Sequence, residues 1–166
     1  DAAWITLKER TASVYSGKLE DPDNAIYTYQ ELLERFPANR AALDALDQLY
    51  RLTEQPEQVQ EILRQKADHA LSAEERLSLM SDRAQLVIDD LSDADLAIEI
   101  LNEVLAQDDG NTRALSQLES VYTEQENWEQ VIDVLLPSGV PAKVRSVTNP
   151  TGLEQARRIP FLQRHG

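Results

Sequence analysis

Residues 40–63 return almost residue for residue 72 positions later, at 112–135, and this recurrence limits the fold more than any other feature of the chain. Leu43, Leu46, Tyr50, Val59 and Leu63 reappear as Leu115, Leu118, Tyr122, Val131 and Leu135. Agreement at so many offsets of one period marks a chain built from repeated units, none of which can bury its apolar face alone. A shorter interval lies inside the block: Ala25 to Val59 is 34 residues, Val59 to Ala97 is 38, and Ala97 to Val131 is 34 again. The four additional residues amount to about one helical turn and are placed at 64–72, lengthening a helix or the turn after it.

Apolar residues spaced by three and four predict eight helices. The first covers 4–17, with Trp4, Leu7, Thr11, Val14 and Tyr15 on one face, and breaks at Gly17. Asp21 caps the second and Pro22 takes its first position, where a missing N–H costs nothing. Its stripe is Ala25, Tyr29, Leu32, Leu33 and Phe36, and it stops at Phe36-Pro37. Asn39 caps a third helix carrying Leu43, Leu46, Leu49 and Tyr50, and Gln55-Pro56 opens a fourth with Val59, Ile62 and Leu63 inward. Ser72 and Glu75 have the spacing of a capping box and open a fifth helix running to about Asp90. Ser92 or Asp93 caps the sixth, with Ala97, Ile98, Leu101, Val104 and Leu105. Asp109-Gly110-Asn111 separates it from the seventh, with Leu115, Leu118, Val121 and Tyr122, and Trp128, Val131, Val134 and Leu135 mark the eighth. Short connections make neighbours antiparallel, giving hairpins at about 5–39, 40–73, 77–111 and 112–136.

Composition agrees with an all-α chain. Hydrophobic residues make up 42% of 166, enough for a core, while aromatics are 5% and glycines number five. Without cysteine, disulfides and thiolate metal sites are excluded. No apolar run approaches the length of a membrane span, no targeting segment is seen, and no compartment follows. The chain begins at Asp1 and its only methionine is Met80, so an excised fragment or processed product is expected.

Charge divides the chain. Five cations, Lys143, Arg145, Arg157, Arg158 and Arg164, face the single carboxylate Glu154 in 137–166, so this tail carries +4 of the overall −14 and leaves −18 on residues 1–136. Such a body repels nucleic-acid phosphates and anionic lipid and favours cationic partners at low salt. The tail also ends the periodicity, with Pro137, Pro141, Pro150 and Pro160. It reads as a capping segment, as foreign sequence, or as a strand that occupies an acidic groove of its own or a neighbouring chain.

These features together resemble the tetratricopeptide repeat: a period of 34, two antiparallel helices, small residues where they cross, a late aromatic in the first helix and a proline after the second. The small residue of the first helix is Ala12 and Ala84 in the odd motifs, with Asp47 and Glu119 in the even ones. The late aromatic is Tyr15, Tyr50 and Tyr122, with Val87 in the third motif. The second helix opens on Ala25 and Ala97, replaced by Val59 and Val131, and the closing proline is Pro37, with Asp109 at the matching place. The resemblance spans about residues 5–136, and its alternation points to a 72-residue block as the unit of duplication.

The resemblance implies a right-handed superhelical stack of hairpins whose first helices line a concave face. Matching that face are Glu9 and Ser13, then Asp44 and Gln48, then Ser81, Asp82 and Gln85, and finally Arg113, Ser116 and Ser120. The carboxylate clamp of Lys, Asn and Arg found in some members of the family is absent, since Glu9, Ser13, Gln48, Ser78 and Asp82 stand there. A basic or polar peptide is the ligand such a face would accept, with Glu9, Asp44 and Asp82 supplying field and Gln48, Gln85, Ser81 and Ser120 supplying hydrogen bonds.

Reactive groups are few. His69 and His165 are 96 residues apart, and there is no Gly-rich phosphate loop, nucleophile elbow or paired-histidine motif. Asp89, Asp90, Asp93, Asp95, Asp108 and Asp109 do not follow the spacing of a calcium loop and read as helix caps. The expectation is a non-catalytic protein-binding scaffold without cofactor or metal. The alternative is a structural or spacer module that self-associates through its last hairpin or tail.

Overall fold

In the computed structural model, which describes residues 1–136, asparagines 72 residues apart start two helices in the same way. Asn39 Oδ1 accepts the Ala42 amide at 2.8 Å, and Asn111 Oδ1 accepts the Ala114 amide at 3.0 Å. Asp21, Ser72 and Asp93 accept the amides of Asn24, Glu75 and Leu96 at 3.1, 3.1 and 3.0 Å. Each takes up an N–H that a first helical turn leaves unpaired, a contribution of about 1 kcal/mol.

The elements are α1 (Ala2–Lys18), α2 (Pro22–Arg35), α3 (Arg40–Leu52), α4 (Pro56–Asp68), α5 (Ala73–Leu86), α6 (Ala94–Gln107), α7 (Thr112–Glu124) and α8 (Trp128–Leu135), with a π turn, Val87–Leu91, continuing α5. Among the described residues there is no strand. Within each unit consecutive helices pack against each other, the arrangement from which an α-solenoid is built. The readings of the tail fall outside the described residues. The chain divides within α6 into two compact units, Asp1–Ile100 and a second beginning at Leu101.

In the first unit the core runs from Ala12 through Ala25, Leu32, Leu43 and Leu46 to Val59, all at most 1% exposed. The predicted face of α1 is corrected. Leu7 and Val14 are 61% and 49% exposed, while Ala12 is buried with Trp4, Ile5, Lys8 and Tyr15 half-buried around it. Ala12 carries only a methyl group and so lets α2 approach closely, which selects the face containing it over the one richer in large apolar residues. Trp4 completes the end of this core: it lies 6.0 Å from the Phe36 ring, with Arg35 and Lys8 at 5.2 and 5.5 Å from its own. In the second unit Leu101, Val104, Ala114, Leu118, Val121 and Val131 are buried.

Four turns share one backbone device. Glu20, Glu54, Ser92 and Glu126 have φ of 50°, 54°, 52° and 54°, one residue in each hairpin's inner turn. The following residue returns its N–H to the late-aromatic position: Gln55 to Tyr50 and Asn127 to Tyr122 at 2.9 Å, Asp21 to Tyr15 at 3.0 Å, and Asp93 to Val87 at 3.3 Å. In the even hairpins this is the Schellman closure, seconded by Glu54 N–H to Arg51 O and Glu126 N–H to Thr123 O at 3.3 and 3.0 Å. The odd hairpins hold one more residue and take it up as a wider turn, with Leu19 N–H reaching Val14 O at 3.1 Å and Val87–Leu91 forming π geometry.

The four additional residues of the third hairpin are therefore not at 64–72. Ala84 stands 11 residues after the start of α5 at Ala73, whereas Asp47 stands 7 after the start of α3 at Arg40. The added turn is at the N-terminus of α5, one further residue is in the π turn, and α4 is a residue shorter than α2, the connections that follow them being equal. Ser72 provides a cap early, and Glu75 fastens the new turn. Its carboxylate pairs with Arg40 and accepts the Leu71 amide at 2.8 Å, closing on Leu71 instead of the Ser72 amide of a regular capping box.

Candidate functional site

On the first-helix face two of the carboxylates read as field sources, Glu9 and Asp44, have partners outside their own helices. Glu9 on α1 is half-buried and accepts from Asn39 Nδ2 at 3.2 Å, so it steadies the residue that caps α3. Asp44 on α3 is paired with Lys66 Nζ of α4 at 2.7 Å. The same Nζ lies 3.1 Å from Asp47, which also takes Arg51 Nε at 2.7 Å. Burial lowers the Lys66 pKa, but the bonds to Asp44 and Asp47 outweigh it and hold the ammonium above its ordinary value. Asp47 therefore occupies the small-residue position of the repeat because α4 brings a cation to it.

The remaining predicted positions differ in surroundings. Ser13 and Gln48 are exposed, and Asp82 is half-buried. Gln85 Nε2 donates to both Asp89 oxygens at 3.0 Å. Ser81 is 2% exposed, so it belongs to the packed side of α5, and its expected role on an open surface is corrected. A cleft of about 460 Å³ includes Glu9 and Ser13, with Tyr29 in its wall. Burial, with the Glu9 charge second, pushes the Tyr29 phenol up. Arg113, Ser116 and Ser120 are exposed on α7 in the second unit.

A larger groove lies on the other helices of the first unit. It has a volume of about 750 Å³ and runs between α2 and α4. Ile26, Leu33, Leu46, Tyr50 and Ile62 supply its apolar surface, and Gln30 Nε2 donates to the Tyr50 hydroxyl at 2.8 Å across it. Amides of Gln30, Gln58 and Gln65 and carboxylates of Asp23, Glu34 and Glu61 line the rest, and no lining residue is Lys or Arg. Tyr27, 60% exposed, stands at its edge. Hydrogen bonding by Arg64 holds the Glu61 carboxyl below its ordinary pKa against the opposing effect of burial, with Gln65 adding to it. Reasoning from sequence missed this groove because its polar residues look like the solvated side of two separate helices.

The aspartates are structural wherever their contacts are seen. Asp93 caps α6, Asp89 accepts from Gln85, and Asp108 accepts from Asn111 Nδ2 at 3.1 Å. Among the described residues no group of three or more His, Asp or Glu side chains converges as metal ligands would. His69 is exposed at the end of α4, and His165 lies outside the described residues. No helix among the described residues is long and apolar enough to cross a membrane.

Several carboxylates link stability to acid. Asp21 is lowered by its Asn24 side-chain and backbone bonds, Glu61 by Arg64, and Glu75 by the Leu71 amide and then Arg40. A depressed carboxyl stabilises the fold above its unfolded pKa and loses that contribution as pH falls through its folded one. The melting temperature is therefore expected to hold above pH 4.5, the ordinary Glu value, and to fall progressively below it. Glu75→Gln should flatten part of this decline in thermal melts from pH 7 to pH 3. An unchanged acid slope in that variant would contradict the assignment.

No protein-family model and no curated protein matches this chain.

Proposed function

We propose that this chain is a non-catalytic protein-binding module of tetratricopeptide-like, right-handed superhelical architecture that takes up a basic peptide in the α2–α4 groove. The observation that carries the reading is the lining of that groove: apolar floor, amide and carboxylate walls, and no cation. Such a lining favours a segment whose backbone can bond to Gln30, Gln58 and Gln65, whose cations answer Asp23 and Glu34, and whose apolar side chains cover Leu33 and Ile62. The first-helix face is the weaker candidate, since Asp44 is neutralised by Lys66 and Ser81 is buried.

The test is calorimetry on the full chain with a ten-residue peptide of alternating arginine and leucine, against a control with glycine for leucine. Asp23→Lys with Glu34→Lys alters two exposed residues, which keeps the stability change small. Affinity in this variant is expected to fall about tenfold at low salt and by less at high salt. Ser13→Lys with Gln48→Lys, on the first-helix face, should change affinity far less. The reverse order of effects would move the site to that face, and equal binding of the two peptides would reduce it to nonspecific charge attraction.

A further inference from the structure

The α2–α4 groove has a counterpart in the second unit. A cavity of about 310 Å³ there is lined by residues of α6, α7 and α8. Its lining repeats the first at an offset of 72. Leu105, Leu118, Tyr122 and Gln130 stand where Leu33, Leu46, Tyr50 and Gln58 stand in the first groove. Three further pairs keep their chemistry and lose one methylene each: Gln30 becomes Asn102, Glu61 becomes Asp133, and Ile62 becomes Val134. The second lining also contains the carboxylate of Asp109 and, like the first, has no Lys or Arg.

Packing alone accounts for the repetition of Leu118 and Tyr122, because core positions repeat with the fold. It does not account for the glutamine shared by positions 58 and 130. Gln58 and Gln130 are both exposed, so no demand of the interior fixes their type. The chemistry of a polar wall has been kept where the fold leaves it free.

Resting on the reading of the first groove, we propose that the groove of 101–136 is a second site for the same ligand class, so that one chain takes two basic, apolar-anchored peptide segments. Asn102, Gln130 and Asp133 set the polar contacts, and Leu105 and Val134 receive the apolar side chain. The smaller volume and the absence of counterparts to Asp23 and Glu34 from its lining make it the weaker of the two.

Calorimetry of the full chain with the arginine–leucine peptide tests this, with native mass spectrometry counting the bound copies. Two peptides per chain are expected. Gln58→Lys and Gln130→Lys each place a cation at an exposed wall position, and each should leave one peptide bound. The variant carrying both should bind none while keeping its helical circular dichroism. A single site lost in Gln58→Lys and untouched by Gln130→Lys would overturn the second site and leave the first standing. No binding at all would overturn both. Mass that rises with protein concentration without peptide, and that either substitution suppresses, would assign the grooves to a second copy of this chain and overturn the proposal.

Discussion

Leu63→Ala is expected to destabilise the chain by about 2–5 kcal/mol, and Leu135→Ala, the same substitution at the matching place 72 residues on, by about 0.5 kcal/mol or less. Leu63 is 2% exposed, so truncation removes packed methyl groups and leaves a cavity that neighbouring side chains fill only in part. Leu135 is 58% exposed, and little is removed from contact when it is shortened. Urea unfolding of the two variants at neutral pH measures the difference. A cost at Leu135 approaching that at Leu63 would mean that the end of α8 is covered in solution, and the contrast in burial would then fail as an account of the two positions.

The converse change is expected from Glu20→Gly, Glu54→Gly and Glu126→Gly together, which should stabilise the chain by about 2–3 kcal/mol in sum and raise its melting temperature by about 5–10 °C. All three residues have positive φ, a conformation in which a Cβ crowds the following carbonyl at about 1–2 kcal/mol, while the greater freedom of unfolded glycine returns about 0.5–1 kcal/mol of the gain. The three side chains are exposed, so little packing is lost. Gly17→Ala acts in the opposite chemical direction and makes a useful companion, since Gly17 lies within α1 and a Cβ there meets nothing within 4 Å. If the triple variant melts no higher than the parent, the turns are not strained in the way their geometry implies.

Helix positions were legible where a local signal decides them. Asp21-Pro22, Asn39, Gln55-Pro56, Ser72 and Asn111 each mark a start by chemistry confined to one turn of chain. The face of α1 was not legible by counting large apolar residues, because Ala12 matters through the closeness it permits and Leu7 and Val14 point to solvent. The 38-residue interval fixes a total but not its location, and the early cap at Ser72 decided the placement. For the site, Asp44 and Asp47 look like free charge until α4 brings Lys66 against them, a pairing that no single-helix reading contains. The grooves between second helices could have been found from the exposed glutamines at 58 and 130, had polar recurrence been weighed alongside apolar recurrence.

The positive-φ turns also bear on how the chain can be lengthened. Glu54 and Glu126 share a φ of 54° and the same closing bonds, so the 72 residues from Gln55 to Glu126 begin and end at equivalent backbone states. That span is a cassette with matched ends. Copying it in series joins Glu126 to Gln55 in a turn the chain already makes, and each copy adds two hairpins without a new loop to be designed.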